Sequence, residues 1–175
     1  MLTDVNSRLI DQNTGLLLQM LSLLSRMDDT VYATSPQGLA PHRVGGHLRH
    51  ILEFYECLLD GLTVSRIDYD KRKRDETIEK SRLSGEARIC AIIGRLEDTT
   101  SLREDAPVAV RMENSDSDVY FASSISREMQ ALSSHTIHHL ALIAVTLRLH
   151  GLEVDPDFGM SPSTLRYQAT LIEAA

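Results

Sequence analysis

Five of the seven histidines fall into two clusters, His47 and His50 in one segment and His135, His138 and His139 in another. Neutral imidazole is the commonest protein ligand for divalent transition ions, so these are the residues with chemistry to offer. In a helix, residues four apart share a face with Cβ atoms about 6 Å apart, and His135 and His139 can aim ring nitrogens at one ion. At about 100° per residue both lie on the stripe that holds Leu132, Leu142 and Ile143, which points them inward, and His138 turns away to the flank. In the first cluster the same arithmetic puts His47 near the centre of the stripe of Val44, Ile51, Phe54 and Leu58. His50 falls nearer its edge, so His47 is favoured as the third ligand.

Three imidazoles leave a coordination position for water or substrate, as catalytic sites do, whereas a closed structural site uses four protein ligands. An open site of this kind lowers the pKa of a bound water or thiol toward neutrality. Glu128, one to two turns before His135 on the same stripe, is the candidate catalytic group, as an orienting carboxylate or a general base. The competing reading is a set of stacked, hydrogen-bonded core histidines, because an HxxxH spacing alone recurs by chance.

The elements that must carry these residues read as helices. Residues 3 to 27 place Leu9, Leu16, Leu17, Met20, Leu21, Leu23, Leu24 and Met27 close to a 3.6 period, with Thr3 or Asp4 positioned as cap. A breaker segment with Ser35-Pro36-Gln37-Gly38 and Ala40-Pro41 follows. The first histidine cluster sits on a helix from about His42 to Leu59 that Gly61 ends; its interior Gly45-Gly46 pair costs about 1 kcal/mol per glycine and implies a close neighbour. A third helix, Gly85 to about Asp98 with Ser84 as cap, is predicted to bury Ala87, Ile89, Cys90, Ile92, Ile93 and Leu96. Residues 107 to 123 read as a short β-hairpin through a polar turn from Glu113 to Asp118. The second histidine cluster lies on the longest helix, from near Ser124 to His150 with Gly151 as its stop. The tail, with Pro156, Gly159 and Pro162, ends in a short helix after Ser163. The expected fold class is therefore all-α, a single bundle domain over residues 1 to 175 with a hairpin appendage before the last long helix.

Composition narrows the function. With 25 acidic against 18 basic residues the net charge is -7, so the averaged field repels phosphate backbones and anionic lipid. The basic run Lys71-Arg72-Lys73-Arg74 is flanked by Asp68, Asp70, Asp75 and Glu76 and reads as a solvated mixed-charge turn. No nucleic-acid and no membrane partner is expected. The opening residues, with Asp4 and polar neighbours, lack the basic and apolar regions of a secretory leader, and no apolar run approaches the length of about 20 residues that spans a bilayer. A cytoplasmic location is expected. Cys57 and Cys90 sit in different helices without CxxC spacing and read as small core or boundary hydrophobes.

The stretches Val44-Gly45-Gly46-His47-Leu48-Arg49-His50-Ile51-Leu52 and Ser134-His135-Thr136-Ile137-His138-His139-Leu140-Ala141-Leu142-Ile143 resemble the DinB/YfiT-like superfamily, as does the order of helices along nearly the whole chain. Residues 67 to 75 and the tail from Phe158 to Tyr167 resemble a bacterial subgroup. The resemblance implies a four-helix bundle with a three-histidine metal site on His47, His135 and His139; His50 has no fixed counterpart in the family pattern, and its presence leaves a four-histidine set open. It implies a bound metal and a small-molecule substrate; imidazole ligands accommodate a divalent transition ion such as Zn or Ni. The activities it implies are S-transfer from a low-molecular-weight thiol to a small electrophile, thiol-dependent isomerisation, or metal-dependent hydrolysis. In a transferase or hydrolase, Tyr69, Arg166 and Tyr167 would be candidate substrate contacts. Against these stands a noncatalytic metal-binding module, a homodimer through apolar helix faces, with a closed site that uses His50 or Glu128.

Overall fold

The computed structural model describes residues 2–112 and 118–173. It is mostly helical with one small sheet. There are four long helices, α1 (Leu2–Leu24), α3 (Val44–Gly61), α5 (Arg82–Asp98) and α6 (Ile125–Leu149), and three shorter ones, α2 (Asp29–Ala33), α4 (Glu76–Lys80) and α7 (Pro162–Glu173), among the described residues. α1 and α3 each pack against both α5 and α6, so the core lies between these four. It is built from Leu17, Met20, Leu24, Leu48, Ile51, Leu52, Leu58, Ile89, Leu140 and Ile143, each fully buried. Burial of one such side chain contributes about 1.5–3 kcal/mol before the entropy of ordering is subtracted.

Local signals set most boundaries. Ser124 caps α6 by accepting from the Arg127 backbone amide, and Gly151 takes φ 78° just past its end. The cap of α5 is Ser81 and not Ser84: the Ser81 hydroxyl accepts from the Ser84 amide, which starts the helix at Arg82. On α5 the buried stripe is Ile89, Ile92 and Leu96, while Ala87 and Cys90 are exposed, contrary to expectation. The expected stripe was drawn too wide. α2 and α4 form inside segments that had read as breaker and charged turn, capped by Asp28 and Asp75, whose carboxylates accept from Thr30 and Thr77 amides.

The glycine pair on α3 has a steric cause at one member. A Cβ on Gly45 would overlap the Glu79 carbonyl of α4 and come within 2.9 Å of the Tyr32 ring, whereas Gly46 has ordinary room. α4 thus lies directly on the N-terminal turn of α3, beside the first histidine cluster.

The hairpin is a correction in kind. β2 (Pro107–Arg111) and β3 (Phe121–Ser124) pair antiparallel, but β1 (Arg66–Asp68) joins β2 in parallel, giving a three-stranded sheet in the order β1-β2-β3. The fold is therefore largely α with a small mixed sheet. A three-residue strand carries too little alternation to be read, and Ile67, fully buried, is its only strong signal. Of the expected polar turn from Glu113 to Asp118, residues 113–117 lie outside the described residues. Among the described residues no helix is long and apolar enough to cross a membrane.

A buried polar seam fixes how α1, α3 and α6 are rotated against one another. The Tyr55 hydroxyl donates to Asn13 Oδ1 at 2.7 Å and accepts from Thr136 Oγ1 at 3.1 Å. Asn13 Nδ2 in turn donates to the carbonyls of Leu9 at 2.8 Å and Met129 at 3.1 Å. Hydrogen bonds in a low-dielectric interior are directional and costly to leave unmade, so the seam specifies one register. Thr136 adjoins His135, so that register also sets where the second histidine cluster points.

Candidate metal centre

With α3 and α6 packed side by side, their histidines meet ring to ring. His47 Nδ1 lies 3.1 Å from His139 Nδ1, and His50 Nε2 lies 3.1 Å from His135 Nε2. One ring nitrogen from each of His50, His135 and His139 falls within 4.8 Å of the others. For metal–nitrogen bonds of about 2.0–2.1 Å, ligand atoms in a tetrahedral site are about 3.3 Å apart, so small ring rotations would complete such a site. Ring centroids of His135 and His139 are 4.6 Å apart, those of His50 and His139 4.7 Å, and those of His47 and His139 5.3 Å.

The structure brings all four named ligand candidates together, with His50 inside the tightest set of three and His47 beside His139. The sequence had favoured His47 over His50 from their places on the helical stripe. Both are in fact half-buried, because the centre of the buried α3 stripe runs through Leu48, Ile51, Leu52 and Tyr55. His135 and His139 are likewise half-buried, beside a buried α6 stripe of Leu132, Thr136, Leu140 and Ile143, and His138 is exposed. The cluster thus lies at the edge of the core, where an ion and a small ligand have access.

The donor set fits a divalent transition ion. His135 Nδ1 is buried with no hydrogen-bond partner among the described residues, an orphan nitrogen of the kind a neutral imidazole keeps when it serves as ligand. Burial depresses the basicity of the cluster: His50 and His135 are pushed down to about 4 and His139 to about 3, in each case first by desolvation and then because a second protonated ring would repel the first, with Arg72 adding to this at His50 and His135 and Arg49 at His50. His47 is lowered for the same reasons. All four are neutral at pH 7, the form that binds metal.

An aromatic wall backs the cluster. Phe54 packs against His135 at 4.2 Å with the rings tilted by 30°, meets His50 edge-on at 4.8 Å and stacks on Tyr69 at 5.0 Å and 20°. The guanidinium of Arg72 lies over the Phe54 ring at 4.7 Å, so one member of the charged run is a packing group at the site. Tyr69 is buried and donates to Glu128 Oε2 at 3.0 Å, while Ser123 donates to Glu128 Oε1 at 2.6 Å. Glu128, the candidate catalytic group, therefore anchors the wall through Tyr69 and stands apart from the set of close ring nitrogens. Arg166 and Tyr167 are exposed on α7. Sequence reasoning missed Phe54 as a site residue, having read it only as core, and missed Arg43, Arg49 and Glu79, which line the cleft outside the histidines.

No protein-family profile matches the chain, and no solved structure matches it. The chain is similar to a curated protein of Rhizopus delemar named FK506-binding protein 5, 38% identical over 108 residues. The alignment covers 59% of this chain and 28% of that protein, so the chain spans under a third of the length of the curated relative it matches.

Proposed function

We propose that the chain is a DinB/YfiT-like four-helix bundle that binds one divalent transition ion, Zn or Ni, through histidines of α3 and α6, and that it joins a low-molecular-weight thiol to a small electrophile. The observation that carries this reading is the meeting of His47, His50, His135 and His139 from two helices, with three ring nitrogens within 4.8 Å. The packing of α1 and α3 on both α5 and α6 supports the bundle. Imidazole ligands suit Zn and Ni, with the ion set by availability. A divalent ion held by three imidazoles acidifies a coordinated thiol or water.

The chain's own groups do the rest. Contact with Phe54 backs the His135 ring, and the Glu128–Tyr69 hydrogen bond holds Tyr69, on which Phe54 stacks, in place. Beside His135, Phe54, Tyr69, Met112, Ala131 and Leu132 enclose a small apolar cavity of about 70 Å³, a place where an apolar electrophile would be sheltered from water.

A second reading has one observation in its favour: His47 Nδ1, 3.1 Å from His139, could close a four-imidazole site and leave a noncatalytic module. Cobalt substitution separates the alternatives. A thiol-dependent sulfur-to-metal charge-transfer band with proton release supports the transferase. Absence of that band, with an exchangeable metal water and hydrolysis of an activated ester, replaces it with a hydrolase. Absence of all three leaves the closed module.

A further inference from the structure

The histidine cluster opens into a cleft of about 310 Å³ lined by His47, His50 and His139 and by Arg43, Arg49 and Glu79. One carboxylate there serves two guanidiniums: Glu79 Oε1 pairs with Arg43, and Glu79 Oε2 lies 3.2 Å from Arg49 Nε. The Nε atoms of both arginines are buried, and neither has a well-directed hydrogen bond. Each guanidinium carries five N–H donors in a fixed fork, more than one carboxylate can accept, and with side chains 34% and 23% exposed both present donors to the cleft. The charged side chains that act on His50 and His135 are likewise cationic, Arg49 and Arg72 in the first case and Arg72 in the second. Among the residues that line the cleft two arginines face one carboxylate, and Glu76, which both arginines act on from outside the lining, is exposed and paired with Lys80. A dication on neutral imidazoles would add two positive charges. A ligand with one negative group at the histidine ring nitrogens and another at the arginines would offset most of this charge.

We propose that this cleft binds a small thiol that also carries a carboxylate, with its sulfur at the histidine cluster and its carboxylate on Arg43 and Arg49. The sulfur rests on the S-transfer reading above; the carboxylate subsite rests on the arginines alone. Arg43 immediately precedes α3 and Arg49 lies within it between the two histidines, so the helix that supplies the metal ligands also fixes the spacing between sulfur and carboxylate.

The test compares thiols on the cobalt-loaded protein, reading affinity from the charge-transfer band. Mercaptoacetate and 3-mercaptopropionate should bind about tenfold tighter than 2-mercaptoethanol at low salt, the scale of a charge-assisted hydrogen-bonded pair. In the Arg43→Gln/Arg49→Gln double variant the ratio should fall to about one. Equal affinities in the unmodified protein overturn the carboxylate subsite while leaving the metal-thiolate reading standing. If no thiol gives a band, the S-transfer reading fails, and the subsite is judged separately on the metal-free protein with (methylthio)acetate against 2-(methylthio)ethanol. Amide and guanidinium NMR shifts at Arg43 and Arg49 with the first ligand only support it; none, or equal shifts with both, overturn it. The same NMR comparison decides the matter should the double variant not fold.

Discussion

Lowering the pH from 7.5 to 5 should leave metal affinity almost unchanged. Protons compete with the ion for each imidazole, and an imidazole at its ordinary pKa of about 6.5 loses roughly 30-fold in effective affinity at pH 5, so three ligands lose roughly 3 × 10⁴-fold. In this chain burial first, and then the crowding of the rings, hold His50 and His135 at about 4 and His139 at about 3. At pH 5 those three are still mostly neutral, and their combined loss is under about twofold. Equilibrium dialysis against buffered Zn at pH 7.5, 6, 5 and 4, with bound metal read by elemental analysis, gives the profile directly. A fall only below about pH 4.5 is expected. A thousandfold drop between pH 7.5 and 5 would refute the reasoning, because it would mean that the rings titrate as if exposed. The same depression has a stability counterpart with a definite sign. The unfolded chain takes up protons that the folded histidines refuse, so the metal-free protein should lose stability as pH falls from about 6.5 toward 4.

Gly45→Ala, a change that normally stabilises a helix by about 1 kcal/mol, should here destabilise by about 1–3 kcal/mol in urea denaturation, because the new Cβ meets the Glu79 carbonyl and the Tyr32 ring; a stabilised variant would show that α4 does not lie on α3. Tyr55→Phe removes the hydroxyl between Asn13 and Thr136 and should cost about 1–3 kcal/mol; an unchanged midpoint would mean that the seam is not needed. Ala at His50, His135 or His139 should each abolish tight metal binding, whereas His138→Ala, at an exposed position, should leave it intact; equal losses at His138 and His139 would contradict the observed face of α6.

The long helices and the histidine clusters were legible because periodicity and breakers are local: Ser124 and Gly151 bound α6 at both ends, and the HxxxH spacing marks one face of it. What the sequence hid is what depends on packing between distant segments. His47 and His50 could not be ranked from a helical wheel, since their depth is set by where α6 and α4 lie against α3. Glu79 reaches the cleft only because α4 rests on Gly45, 34 positions away in the chain. Phe54 reads as an ordinary core aromatic until His135 and Tyr69 are seen on its faces. β1 was concealed by its brevity and by the acidic and basic residues around Ile67.

The account rests on a divalent ion held by the histidine cluster, and metal stoichiometry measures that most directly. After dialysis against Zn and removal of free ion, elemental analysis of the purified protein and of His139→Ala should find about one ion per chain in the first and almost none in the second. No bound ion in the unmodified protein, or the same content in both, would contradict it.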